Sequence, residues 1–304
     1  MSDGTLPTGE DHTEMIFGIC NPVSRRGDGL AVSSQVEGYF REEGIPYRTL
    51  YTAASGDGTR LAREAAAAGA ETVFAIGGDG TASEVARGLA GTDCPFGIVP
   101  AGTGNDFARA LGLPSDPMEA LKYQLGRDAR RIDLMDINGR VYMNETGMGY
   151  DVETIRTAQR MPKFIPGSLA YFMGVVSTLL RFRAVGVVCS FDGDDEVRLP
   201  CFLIAVCNGG YIGGGIRIGP RAAVDDGLLD VVIIKEITRG RLLPRLAALM
   251  RGRVLDFPET EFRRCRRFSF RVPGRRIDIN ADGEIFSVDR VDVELLPEAL
   301  LVRG

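Results

Sequence analysis

The sequence predicts a two-domain protein, a parallel, Rossmann-like α/β domain followed by a mainly antiparallel β domain. Three observations predict it. Up to about residue 130, short β-branched apolar runs alternate with helical patterns, which implies a parallel sheet covered on both faces. Beyond that point the chain reads as strands separated by the turn dipeptides Asn138-Gly139, Asp192-Gly193 and Asp282-Gly283. Charge divides as well: residues 1–155 hold 13 Arg+Lys against 23 Asp+Glu, and residues 156–304 hold 23 against 18.

The elements follow in order. In the first domain, 15–20 reads as a strand, 21–29 as a loop and 30–43 as a helix. A strand over 45–51 precedes an Ala-rich helix over 59–68 that Gly69 ends. The β-branched run 72–76 is a third strand, 77–80 a tight loop, 81–89 a helix, 96–99 a fourth strand and 100–104 a second glycine loop. In the second domain, strands are expected over 131–137, 141–144, 185–191, 197–206, 228–234, 268–272 and 277–280. Helices are expected over 169–181, with Ser168 as N-cap, and over 239–251. A last strand, 291–296, returns to either domain. The expected division is a flexible leader over 1–14, the α/β domain over 15–130, the β domain over 131–290 and a return segment over 291–304.

Composition narrows the chemistry. With 304 residues, 44% hydrophobic and 25% charged, full cores can form and global disorder is excluded. The single histidine, His12, lies in the polar leader, which excludes His-metal clusters and a Ser-His-Asp triad. Six cysteines, without a C-x-x-C pair, read as reduced core residues of a cytosolic protein. The longest apolar run, 169–180, has 12 residues, against the roughly 20 a bilayer span needs. No signal peptide is visible in the leader, and the acidic balance argues against nucleic acid as a partner.

Two loops carry the chemistry. Gly77-Gly78-Asp79-Gly80-Thr81 follows a buried strand and opens a helix, so its amides can approach an anion closely at a helix N-terminus. An aspartate there calls for a cation partner, most simply Mg²⁺, and the alternative is a plain turn with Asp79 as a cap. The loop is neither a Walker A motif nor the dinucleotide G-x-G-x-x-G. Pro100-Ala101-Gly102-Thr103-Gly104-Asn105-Asp106 repeats the arrangement. Thr103 and Asn105 suit phosphate or ribose oxygens there, and Asn105 or Asp106 equally suits a cap. Both loops fall at strand carboxyl ends, where open α/β sheets bind ligands.

GGDGTASE (77–84) and PAGTGNDFAR (100–109), in this order and one βα unit apart, resemble the soluble bacterial diacylglycerol kinase-like lipid kinases, whose superfamily is related to NAD kinase. Asn21-Pro22, Thr52 with Gly56-Asp57, Asn144-Glu145-Thr146-Gly147 with Gly149 and Asp151, and Gly213-Gly214-Gly215 through Asp225-Asp226-Gly227 extend the resemblance over nearly the whole chain, to Asp282-Gly283-Glu284. The resemblance implies an NAD kinase/phosphofructokinase-like first domain and an active site in the interdomain cleft. It implies an ATP- and Mg²⁺-dependent transfer of phosphoryl to a lipid hydroxyl, most simply diacylglycerol, giving phosphatidic acid.

The nucleotide residues it implies are Asn21, Pro22, Val23, Ser24, Arg25, Thr52, Gly77, Gly78, Asp79, Gly80, Thr81, Glu84, Thr103 and Asn105. Glu284 is the implied general base, and Asp79 the catalytic carboxylate beside which Mg²⁺ rides with ATP. A structural Mg²⁺ is implied on Asp226 and the carbonyls of Ala223 and Leu228, with Asp225 nearby. The opening loop departs from the family pattern, since Val23-Ser24-Arg25-Arg26 stands where a Gly-rich stretch is usual. Arg25 and Arg26 either grip phosphate or block close approach.

Such an enzyme is expected in the cytoplasm, peripheral to the inner face of the membrane when acting, and able to pair as a homodimer. The stripe Leu169, Phe172, Met173, Val176, Leu179, Leu180 with flanking arginines is either a membrane lip or a helix packed on the β domain. Arg263, Arg264, Arg266 and Arg267 are either a membrane-facing rim or a solvated edge. Rival readings are a kinase of a soluble acceptor such as NAD, and a non-catalytic nucleotide- or lipid-binding protein.

Overall fold

Strand β1 (Ile16–Cys20) is the centre from which the first unit grows, because every one of its five residues is buried. The computed structural model describes residues 15–24, 28–149, 152 and 184–304. Expectations for His12, Arg25, Arg26, Asp151 and the apolar helix with its flanking arginines (156–183) lie outside them. The chain divides into two units, 1–134 with 296–304, and 135–295.

In the first unit β1 lies between β2 (Tyr47–Tyr51) and β3 (Thr72–Gly77), and β4 (Phe96–Pro100) pairs beyond β3. All these pairings are parallel, as alternating strand and helix require. The helices are α1 (Asp28–Glu42), α2 (Asp57–Ala67), α3 (Asp79–Leu89), α4 (Asp106–Ala110) and α5 (Pro117–Leu125). Helix α4 is the one expected after the second glycine loop, whereas the sequence predicts no helix at α5. Yet α5 has a clear start: Asp116 Oδ1 accepts from the amides of Met118 and Glu119, both at 2.9 Å, and Pro117 follows the cap. Ile16, Val36, Phe40, Phe74, Ile76, Val99 and Leu121 form one buried cluster.

Beside β4, α5 makes up for a missing strand neighbour. Gln124, fully buried, donates from Nε2 to the Ile98 carbonyl at 2.7 Å and accepts the Ile98 amide at 2.9 Å. It thus closes both hydrogen bonds of a mid-strand residue, as a neighbouring strand would. Gln124→Leu leaves two buried backbone groups unmatched, each worth about 1–3 kcal/mol. We expect it to lower unfolding free energy by about 3 kcal/mol in a urea titration.

The second unit is a sandwich. Its six-stranded sheet has the order β14-β13-β10-β7-β16-β17, antiparallel throughout. These strands are β7 (Glu145–Gly149), β10 (Leu203–Cys207), β13 (Leu229–Ile234), β14 (Thr260–Cys265), β16 (Ile277–Ala281) and β17 (Glu284–Val288). The opposing layer contains β8 (Val185–Phe191), β9 (Val197–Cys201) and β15 (Arg267–Arg271), joined by the first residues of β18 (Val291–Arg303). Strand β5 (Ala129–Ile137) turns through Asn138-Gly139 into β6 (Arg140–Tyr142). The small hairpin of β11 (Tyr211–Ile212) and β12 (Ile216–Arg217) stands apart. The far end of β18 belongs to the first unit, where Val302 pairs with Phe96.

Both faces of the six-stranded sheet are covered, which explains its unbroken apolar runs. On β13, Leu229, Val231 and Ile233 enter the sandwich core, while Val232 and Ile234 face a second cluster with Leu246, Val254 and Phe257. Leu246 comes from α6 (Leu242–Leu249).

Two expected elements are corrected. The single strand over 197–206 is two strands in different sheets. The chain changes layer at Phe202, whose amide bonds to the Ile234 carbonyl at 2.8 Å. The helix over 239–251 is a 3-10 turn (Arg239–Arg241) followed by α6. All three turn dipeptides stand as expected, with positive φ at both residues: 53° and 84° at Asn138-Gly139, 50° and 87° at Asp192-Gly193, 46° and 87° at Asp282-Gly283.

All six cysteines are unbridged and buried. Burial pushes the Cys20 and Cys94 thiols up to about 11 and Cys265 to about 12, so they behave as small apolar groups.

Candidate active site

At the carboxyl end of the parallel sheet, the two glycine loops leave neighbouring strands and touch. The Ala101 amide donates to the Gly77 carbonyl at 2.8 Å. A Cβ built on Gly102 would stand 2.3 Å from the Gly78 Cα, and one on Gly78 would stand 3.1 Å from the Gly102 Cα. Only two glycines allow this approach. Gly80 has open space around its would-be Cβ. We therefore expect Gly102→Ala to destabilise by about 2 kcal/mol through overpacking, Gly78→Ala by less and Gly80→Ala hardly at all, as read in thermal melts.

Asp79 ties the loops together. Its Oδ1 accepts the Phe107 amide of α4 at 3.1 Å, and its Oδ2 lies 2.6 Å from a Cβ built on Gly104. The second loop is braced from within: Asn105 Oδ1 accepts the Gly102 amide at 3.0 Å, and Asn105 Nδ2 donates to the Gly102 carbonyl at 3.1 Å. Arg109 donates to the Gly104 carbonyl and lies 3.2 Å from Asp106. Asn105 itself has φ 54°, a conformation asparagine tolerates. Thr103 is exposed and Thr81 buried.

The remaining nucleotide candidates share this sheet end. The Asn21 amide bonds to the Ile76 carbonyl at 3.2 Å, and the Thr52 amide to the Cys20 carbonyl at 3.0 Å, both extending the strand ladder. Asn21 Oδ1 accepts the Val23 amide at 3.1 Å, and the Asn21 carbonyl accepts the Ser24 amide at 3.1 Å, so Asn21-Pro22-Val23-Ser24 is a turn that leaves Val23 77% exposed.

Glu84 has a structural use. Its carboxylate accepts the Gly56 amide at 2.8 Å and the Gly58 amide at 3.0 Å, closing the start of α2. Beside it, Asp57 accepts the amides of Ala53 and Ala54 at 2.8 and 3.0 Å, which hold its carboxyl below the ordinary range against the effect of burial.

In the second unit, Glu284 is the first residue after the Asp282-Gly283 turn. Its Oε2 lies 2.9 Å from Arg140 Nη2, and its Oε1 accepts from the same nitrogen at 3.1 Å. The Tyr142 hydroxyl donates to Oε2 at 3.4 Å. The turn itself is pinned by Asp282: Oδ2 accepts the Met143 amide at 2.9 Å, and Oδ1 accepts those of Asn144 and Glu145 at 3.0 Å each. Buried Asn280 adds two bonds, from Nδ2 to Glu145 at 2.6 Å and from the Gly283 amide to Oδ1 at 2.9 Å. Arg140, Tyr142 and this use of Asp282 escape sequence reasoning. The only local signal is that Arg140, like Glu284, directly follows an Xaa-Gly turn.

The residues that the resemblance implies for a structural Mg²⁺ lie in the turn before β13. Asp226 Oδ1 accepts the Leu228 amide at 3.2 Å, and Oδ2 lies 3.2 Å from Arg264 Nη1. Arg264 Nε also pairs with Asp230 at 2.9 Å. Burial raises the Asp230 carboxyl above its ordinary range against the pull of Arg264, and Asp226 adds to the rise. Its buried Oδ2 has no hydrogen-bond partner. The implied donor set of Asp226, Asp225 and the two carbonyls is all oxygen, which suits a hard divalent cation, though among the described residues no group of three or more His, Cys, Asp or Glu side chains is placed to hold a metal ion. The Ala223 and Leu228 carbonyls belong to the same turn, and Asp225 is exposed.

The basic set 263–267 is largely occupied by ion pairs. Arg263 lies 3.0 Å from Glu261, Arg264 is used as above, and Arg267 lies 2.6 Å from Glu294. These contacts favour a solvated edge over a lipid-facing rim. Among the described residues, no helix is long and apolar enough to cross a membrane.

A parallel α/β unit with paired glycine loops, followed by an antiparallel sandwich, is an architecture this chain shares with known proteins. Residues 15–137 match the diacylglycerol kinase catalytic domain, and residues 144–304 match the YegS C-terminal NAD kinase beta sandwich-like domain. A "Probable lipid kinase YegS-like" from Chromohalobacter salexigens is 33% identical over 86% of this chain and 85% of its own length. A diacylglycerol kinase from Bacillus subtilis is 32% identical over 88% of each chain. A crystal structure of a diacylglycerol kinase from Bacillus anthracis str. Sterne superposes with a TM-score of 0.71 at 22% identity, covering 95% of this chain and 96% of that one; it bears on the fold alone. The chain belongs to the diacylglycerol kinase family of lipid kinases.

Proposed function

We propose that the protein transfers the γ-phosphoryl group of ATP to a lipid hydroxyl, with diacylglycerol as acceptor and phosphatidic acid as product. The observation that carries this reading is the contact of Gly78 with Gly102 under the Asp79 bridge. It stacks two backbone loops at one end of the sheet with no side chain between them.

Phosphoryl transfer needs positioning and charge stabilisation far more than covalent chemistry. The first amides of α3, from Gly78 to Thr81, lack intrahelical acceptors and bind phosphate oxygens, with the helix dipole adding positive potential. Thr103 offers its exposed hydroxyl to the same group, and Asn21 and Thr52 border it along the sheet end. Asp79, already held by the Phe107 amide, is the carboxylate that would hold Mg²⁺ arriving with the nucleotide. Asp226, with the Ala223 and Leu228 carbonyls and Asp225 nearby, would hold the structural ion. Bound Mg²⁺ supplies charge neutralisation at the phosphates and at this turn.

Glu284 takes the proton of the attacking hydroxyl. The acceptor oxygen forms a bond to the γ-phosphorus, the bond from that phosphorus to the bridging oxygen breaks, and ADP leaves with the bond's electron pair. The enzyme works from the cytoplasm and meets its acceptor at the inner face of the membrane.

The test is transfer of labelled phosphate from ATP, with Mg²⁺, to mixed micelles carrying diacylglycerol, sphingosine or ceramide, with NAD in a parallel reaction. Label is expected on diacylglycerol. Label on NAD alone would end the lipid reading, and label on another lipid would replace the acceptor.

A further inference from the structure

Glu284 is held in a way that its place on a half-exposed edge strand does not require. One guanidinium nitrogen, Arg140 Nη2, reaches both carboxylate oxygens, at 2.9 and 3.1 Å. The Tyr142 hydroxyl approaches Oε2 at 3.4 Å from a side chain only 1% exposed. Tyr142 is itself fixed, stacked on Phe286 with ring centroids 6.4 Å apart and planes 16° from parallel, and Arg140 lies 5.5 Å from the Tyr142 ring centre.

We infer that Arg140 and Tyr142 are positioning residues for this reaction, a clamp that sets the rotation of the Glu284 carboxylate. The inference rests on the reading of Glu284 as base. An ion pair with side chains 50% and 38% exposed adds little stability, so the contact is better explained by geometry than by folding. Its parts are arranged for that. Arg140 and Glu284 each stand directly after a two-residue turn, Asn138-Gly139 and Asp282-Gly283, whose paired positive φ values fix where the next side chain leaves the backbone. Asp282 then locks one turn to the start of β7, the strand that follows β6. A carboxylate on a three-bond stem otherwise samples several rotamers, and misplacing a reacting group by about 1 Å costs on the order of 100-fold in rate.

The experiment is a double-mutant cycle of Arg140→Gln and Glu284→Gln, with initial rates against ATP concentration in diacylglycerol micelles. Arg140→Gln alone is expected to lower kcat by about 10–100-fold and leave the KM for ATP unchanged. Arg140→Lys is expected to recover part of the loss, because it restores one donor without the fork, and Tyr142→Phe to lose less than Arg140→Gln. In the Glu284→Gln background, Arg140→Gln is expected to cost nothing further.

An equal factor in both backgrounds would show that Arg140 acts on its own and would overturn the clamp, as would a raised KM for ATP or an unchanged kcat. Full activity in Glu284→Gln would instead remove the base reading and the clamp with it. If Arg140→Gln fails to fold, Tyr142→Phe completes the cycle with the same outcomes.

Discussion

Glu284→Gln is expected to lower turnover by about 10²–10⁴-fold, the usual contribution of a positioned general base, while thermal stability barely moves. The two halves of this expectation come from different observations. Turnover falls because an amide cannot accept the hydroxyl proton at neutral pH. Stability holds because the pair lost, Glu284 with Arg140, is half exposed, and exposed pairs of this kind contribute at most about 1 kcal/mol. The KM for ATP should stay within a few-fold of wild type, since in the proposed mechanism Glu284 touches the acceptor and not the nucleotide. Initial rates on diacylglycerol micelles alongside a melting curve check all three quantities. A variant that turns over like wild type would end the assignment. One that unfolds would show Glu284 to be a structural residue.

What the sequence made legible was whatever depends on near neighbours. The run over 72–76, the three Xaa-Gly turns and the two glycine loops are local signals, and each stands in the structure where it was read. The layer change at Phe202 was hidden because apolar residues continue on both sides, and a strand buried on both faces shows no period to interrupt. The Gln124 bridge to Ile98 has no local mark, since a glutamine on a helix is ordinarily solvated.

At the candidate site the same limit applies. Asp79 was legible as a loop aspartate, but its bond to Phe107 spans 28 residues. Glu84 read as part of a nucleotide motif, and the structure shows its carboxylate closing the start of α2. The clamp on Glu284 joins residues 144 apart. No pattern of spacing reports such a contact, which exists only once β6 and β17 are in place.

The residue whose loss should cost most in stability is Asp282, and the reason is arithmetic on backbone donors. Its carboxylate receives three amides, from Met143, Asn144 and Glu145, at 2.9–3.0 Å, and the side chain is 91% buried. Asp282→Ala leaves all three donors without an acceptor, and each buried orphan costs about 1–3 kcal/mol. It also places alanine at φ 46°, which aspartate tolerates better. Water entering the gap would recover part of this, so a net loss of about 4 kcal/mol is expected in a urea titration.

Asp282→Asn separates the contributions. It keeps the left-handed turn and one acceptor oxygen for Asn144 and Glu145, and loses only the bond from Met143, so a loss of about 2 kcal/mol is expected. Because the same turn carries Glu284 two residues on, both variants should lose turnover in the order of their instability, even at temperatures where each is fully folded. Equal stability of the aspartate, asparagine and alanine forms would mean that the three amides find other acceptors, and that the turn does not depend on this carboxylate.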